Sequence, residues 1–205
     1  MLQERSLKTI LRNLPQDSII FRTDYPQYHS EFVGNTLSSM VSEGSFVKLA
    51  QGIYLKPRMS KYGAIKPSAY QVAKRIAKRD KAKILPAGVT VLNELGLSTQ
   101  VPVNYTFITT GSARTVNLDT YNIIFKQGAP RNFAFRTKLV AYIVQALKAV
   151  GKKNIDPAML GQLATLLARE PDKAALAQDL KQAPQWMRKL LTPLITSNDE
   201  STVDK

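Results

Sequence analysis

Residues 30–58 read SEFVGNTLSSMVSEGSFVKLAQGIYLKPR, and this stretch decides how the N-terminal part of the chain is to be folded. Val33, Leu37, Met40 and Val41 recur at i, i+4, i+7 and i+8, the spacing that stacks apolar groups on one face of a helix. Ser30 is placed to cap that helix and Gly44 to end it, so the spacing predicts a helix over 30–42. The opposite face carries Glu31, Asn35, Ser38, Ser39 and Ser42, which are short, polar and nearly uncharged. After the stop, Phe46, Val47 and Leu49 and then Ile53, Tyr54 and Leu55 form two apolar runs hinged on Gln51 and Gly52, the pattern of a two-stranded hairpin.

Upstream, Leu2, Leu7, Ile10, Leu11 and Leu14 predict an amphipathic helix that stops at Pro15. Residues 18–21 (SIIF) read as a short strand, and residues 24–28 as a second short helix capped by Thr23 or Asp24. The order helix, strand, helix, helix, strand, strand is that of a winged helix-turn-helix. In such a domain Ser30, Glu31, Asn35, Ser38, Ser39 and Ser42 would lie in a major groove, where short polar side chains reach base edges. Arg22, Lys48, Gln51, Lys56 and Arg58 would line the wing and meet phosphates. The same pattern also fits a small α+β domain whose Ser-rich face is merely solvated, and charge is what separates the two readings.

The chain holds 29 Lys plus Arg against 15 Asp plus Glu, a formal net charge of +14 with an isoelectric point near 10.0. A chain this basic suits a polyanion: nucleic acid, an anionic membrane surface or an acidic protein. The excess is concentrated, because between Gly44 and Asn93 the only acid is Asp80, and the basic stretch begins at the predicted wing. No window approaches the run of about 18 apolar residues that a membrane span needs, and the N-terminus MLQER has no signal-peptide apolar core. A cytoplasmic location is therefore expected. The absence of cysteine excludes disulfides and thiolate metal sites.

Residues 59–67 show no period and end in Pro67, which reads as a linker. The next helix, from Ser68, sets Val72, Ala73, Ile76 and Ala77 against a basic face of Lys74, Arg75, Lys78 and Arg79. That face is either a second phosphate-contacting surface or an ordinary solvated one. Residues 105–109, 114–118 and 122–126 predict three strands of a small antiparallel meander. Tyr105, Phe107 and Phe125 in it fit either an exposed platform for single-stranded nucleic acid or a half-buried sheet face, and the half-buried face is expected. From Asn132 the chain reads as helical, with starts at Asp156-Pro157, Pro171-Asp172 and Pro184, and residues 197–205 as a frayed tail. The expected class is α+β: a winged helix over 1–58, a linker over 59–67, a mixed α/β domain over 68–130, a helical region over 131–196, then the tail.

The strings LAQGIYLKPR (49–58), ILPAG (84–88), NELGLSTQVP (93–102) and FITTG (107–111) together resemble the AbiEi-like antitoxins of bacterial type IV toxin-antitoxin systems. The resemblance runs from about residue 2 to 150, and the LGLSTQVP motif carries more of it than the wing ending, which many winged helices share. It implies an N-terminal winged helix that binds the operon's own promoter, expected as an inverted repeat, and a following domain that counters a nucleotidyltransferase-like toxin, commonly without a stable complex. The family supplies no fixed base-reading side chain to carry over, and the long helical C-terminus departs from its simplest members.

An enzyme is not expected. His29 is the sole histidine, no Gly-x-Ser-x-Gly elbow accompanies it, and Asp80, Glu94 and Asp119 stand apart rather than clustered. No catalytic residue, metal or cofactor follows from these residues. The alternative to a DNA-binding regulator is a protein-interaction module that neutralises a toxin by direct contact, its basic charge serving an acidic partner.

Overall fold

A computed structural model describes residues 2–200, with side chains described over 7–195. The chain is α+β and divides into two compact units, residues 1–76 with 116–121, and residues 77–115 with 122–205.

The first unit opens with helix α1 (Leu2–Arg12), followed by β1 (Ser18–Phe21), a 3-10 turn (Arg22–Asp24), α2 (Ser30–Ser42), β2 (Val47–Ala50) and β3 (Ile53–Lys56). Helix α2 forms over the residues its periodicity predicts. Val33, Leu37 and Met40 are fully buried against Leu7 and Leu11 of α1, against Ile20 and Tyr54 of the strands and against Phe46, which precedes β2. It ends where Gly44 turns to φ 75°, with the Ser45 N–H returning to the Met40 carbonyl at 3.0 Å. Its N-cap position, however, is His29 and Ser30 is its first residue. β2 and β3 pair antiparallel about Gln51 and Gly52 (φ 71°), and β1 joins the far side of β3, giving the sheet order β1-β3-β2.

Two local expectations are corrected here. The second short helix is not at 24–28 but is a single 3-10 turn at Arg22–Asp24. Tyr25 precedes Pro26, whose ring disfavours helical backbone before it, and Tyr25 accordingly sits at φ −122°, ψ 66°. The expected linker over 59–67 contains a second antiparallel hairpin, β4 (Arg58–Ser60) and β5 (Gly63–Ile65). Three-residue strands are too short to show a period in sequence.

Helix α3 (Ala69–Arg79) carries the chain from the first unit into the second, burying Val72, Ala73, Ile76 and Ala77. The second unit holds β6 (Ile84–Ala87), α4 (Val89–Glu94), β7 (Asn104–Thr109), β8 (Arg114–Asn117) and β9 (Asn122–Gln127). Their sheet runs β6-β7-β9-β8. It is mixed, not the antiparallel meander expected: β7 pairs in parallel with β9, Phe107 beside Phe125, while β6 pairs antiparallel with β7. Residues 110–121 are long enough to cross over and lay β8 on the outer side of β9, a choice that alternation of side chains cannot reveal. Pro86 is tolerated because β6 is an edge strand.

The remaining helices are α5 (Lys138–Val150), α6 (Pro157–Ala168), α7 (Lys173–Gln182) and α8 (Gln185–Glu200). α5 is buried from Val140 to Leu147 and is the centre of this unit, with Leu163, Leu167, Leu176, Met187 and Leu191 packed around it. Trp186 packs on the same core. Asp156 caps α6 by accepting from Met159 N–H at 2.7 Å, and Asp172 caps α7 by accepting from Ala175 N–H at 2.8 Å. Of the expected tail, residues 197–200 continue α8, and residues 201–205 lie outside the described residues.

Candidate nucleic-acid interface

Burial of the Val33–Leu37–Met40 stripe leaves Glu31, Asn35, Ser38 and Ser42 exposed in one line along α2, with Ser30 at its start. The Ser42 hydroxyl donates to the Ser38 carbonyl at 3.2 Å, keeping its side chain close to the helix. Ser39 belongs elsewhere. It is half-buried, and its hydroxyl donates to Glu43 Oε1 at 3.0 Å while Lys8 Nζ reaches the same carboxylate at 3.3 Å. Arg12 joins them at 3.5 Å, so Ser39 helps to tie α1 to α2. The Ser39 hydroxyl and the Lys8 ammonium hold the Glu43 carboxyl below its ordinary pKa.

The expected phosphate contacts separate into two groups. Arg22 is exposed and lies across α2 at Gly34, where an added Cβ would meet its Cδ at 3.0 Å. Lys48 and Gln51 are exposed on β2 and at the hairpin turn, and Lys48 has no ion-pair partner among the described residues. Lys56 instead points inward. Its ammonium donates to the Arg12 carbonyl and, at 2.6 Å, to the Leu14 carbonyl, closing the C-terminus of α1 where the helix dipole favours a cation. Arg58 is exposed and meets Asp17 at 3.3 Å.

The basic face of α3 is thinner than its sequence implies. Arg75 donates to the Ile19 carbonyl at 3.0 Å and to Asp24 Oδ2 at 2.5 Å, and stacks 4.9 Å from the Phe21 ring, so it holds α3 to β1 and the 3-10 turn. Arg79 and Arg114 both bind Asp80, Arg79 at 2.8 Å. Burial pushes the Asp80 carboxyl up, but hydrogen bonds from these two guanidinium groups outweigh it and hold the pKa below the ordinary value. Lys74 and Lys78 remain exposed and unpaired among the described residues. Phe107 and Phe125 are buried with ring centroids 6.1 Å apart, so they offer no stacking platform.

Among the described residues no group of three or more His, Cys, Asp or Glu could hold a metal ion, and no helix is long and apolar enough to cross a membrane. What sequence reasoning missed is the second hairpin, whose Met59, Tyr62 and Ile65 are exposed. Gly63 following Ser-Lys-Tyr was the available signal for its turn.

Fold and surface together define an α+β protein that presents an exposed polar helix face and a hairpin carrying the exposed Lys48. The chain belongs to DUF6088, a family of unknown function whose model matches residues 6–175. No curated protein sequence matches it significantly. Its fold is similar to the crystal structure of the RV2827C protein from Mycobacterium tuberculosis, with a TM-score of 0.50 and 17% identity, over 94% of this chain and 75% of that one.

Proposed function

We propose that this chain is a DNA-binding antitoxin and transcriptional autoregulator of a bacterial type IV toxin-antitoxin operon. It binds double-stranded DNA at its own promoter through a winged helix-turn-helix over residues 1–58 and counters a nucleotidyltransferase-like toxin in the cytoplasm. The observation that carries the DNA reading is the line Glu31, Asn35, Ser38 and Ser42 exposed on α2, with Arg22 lying across the helix at Gly34 and Lys48 and Gln51 exposed on the hairpin. The element order of the first unit and its sheet order β1-β3-β2 support the winged-helix assignment. Asn35 is the side chain best suited to a base edge, since an amide can bond adenine through both its atoms, while Arg22 and Lys48 supply charge to flanking phosphates. The antitoxin part rests on the resemblance of residues 84–102 and 107–111 to AbiEi-like proteins.

The test is an electrophoretic mobility shift with the gene's own upstream region against scrambled DNA of equal length, with competitor present. Preferential retention of the upstream fragment is expected, and Asn35→Ala should flatten that preference more than it weakens binding overall. Equal retention of both fragments, or none, would sink the regulator and favour neutralisation of the toxin by direct contact, which a pulldown with the neighbouring gene product would then measure.

A further inference from the structure

The hairpin of β4 and β5 turns at Lys61 and Tyr62, and it is not accounted for by α2 and the first hairpin. Its tip is rigid. The Ser60 hydroxyl donates to the Gly63 carbonyl at 2.9 Å and accepts from the Tyr62 N–H at 3.2 Å, while Gly63 sits at φ 106°, backbone that a side chain would strain. None of this order buries the apolar groups it carries: Tyr62 is 88% exposed, Met59 63% and Ile65 40%. Apolar side chains left exposed on an ordered turn suit a surface outside the molecule.

Charge decides which kind of surface. Arg58, Lys61 and Lys66 lie on or beside the hairpin, and no acid occurs from Gly44 to Arg79. The Lys61 ammonium lies 4.9 Å from the Tyr62 ring centroid, so the tip is a flat aromatic group backed by a cation. Arg58 meets Asp17 at 3.3 Å and Lys66 meets Asp119 at 3.8 Å, both exposed pairs of the weak kind that a phosphate can replace. An apolar tip with Lys61 on it, and Arg58 and Lys66 at or just beyond the ends of its two strands, matches the minor groove of DNA, where wedge-like side chains enter between two rows of phosphates. Strand β3 carries the Gln51–Gly52 turn at one end and leads through buried Pro57 into β4 at the other, so the two hairpins leave the sheet from opposite ends of one strand.

We propose that the Lys61–Tyr62 tip is a second DNA contact, with Tyr62 entering the minor groove that flanks the α2 site and Lys61, Arg58 and Lys66 meeting its phosphates. This rests on the DNA-binding reading above. It is tested on the full chain with its upstream fragment by mobility shift and hydroxyl-radical footprinting, comparing wild type, a Lys61→Ala/Tyr62→Ala double variant and Lys48→Glu. The double variant, at an exposed turn, should keep the wild-type circular dichroism, bind about tenfold more weakly, and lose protection at one edge of the footprint while keeping its centre. Unchanged affinity and footprint in the double variant, with binding lost in Lys48→Glu, would overturn the hairpin contact and leave the DNA reading intact. Absence of wild-type binding would overturn both. A double variant that changes from dimer to monomer by light scattering without loss of DNA affinity would make the tip an interface between copies and overturn the proposal.

Discussion

Lys56 shows how one cation can be claimed by the fold before any ligand reaches it. It ends the strand that forms the first hairpin, yet its ammonium closes the last carbonyls of α1. Lys56→Met should therefore cost about 1 kcal/mol in urea denaturation, with DNA affinity unchanged well below the melting transition. An affinity loss at unchanged stability would return Lys56 to the wing. Asp80 carries a pH-dependent contribution instead. Its folded pKa is below the ordinary value, so the stabilisation is present above that value and is lost as the pH falls through the lowered one. Asp80→Asn should melt below wild type at neutral pH, and the gap should close as the pH drops below about 4. A gap that persisted in acid would show that the carboxylate's charge is not what holds Arg79 and Arg114.

At the scale of elements, a buried carboxylate holds the start of α5 to α7. Asp179 of α7 is fully buried, and accepts from Arg136 N–H at 2.9 Å, Thr137 N–H at 2.7 Å and the Thr137 hydroxyl at 2.8 Å. It satisfies the N–H groups of Arg136 and Thr137, the residues that lead into α5, and lies at the positive end of the helix dipole. Removing it strands buried donors, so Asp179→Ala should destabilise by about 3 kcal/mol, measured by thermal or urea denaturation. A loss below about 1 kcal/mol would mean that water reaches those donors and replaces the carboxylate.

For the molecule as a whole, the formal charge of +14 bears on affinity more than on specificity. Several of those cations are spent internally: Lys56 on α1, Arg75 on Asp24, and Arg79 and Arg114 on Asp80. The logarithm of the affinity for DNA should fall linearly with the logarithm of salt, by about 0.9 per phosphate neutralised. Titration of the upstream fragment over a salt series should therefore give a slope set by the exposed, unpaired cations rather than by the total, and Lys48→Glu should reduce its magnitude by about one. A salt-independent affinity would remove phosphate contact from the account altogether.

The amino-acid sequence by itself determined the α+β class, the span of α2 with its buried stripe and the Gly44 stop, and the first hairpin about Gln51 and Gly52, because these follow from local periodicity and from backbone conformations that few residues accept. The starts of α6 and α7 were legible for the same reason, since Asp156 and Asp172 cap their own helices. What only tertiary structure decided were pairings between distant residues. The parallel match of β7 with β9 and the inward use of Lys56 and Arg75 join positions far apart in the chain, and no local pattern distinguishes them from an antiparallel strand or an exposed cation. Ser39 was misplaced because an apolar stripe places a helix face but not the seam with a neighbour: Lys8 and Arg12 of α1 draw Glu43, and with it Ser39, into their contact. The second hairpin stayed hidden because strands of three residues hold too few positions to show alternation, and their order comes from the turn at Gly63 and the side chain of Ser60.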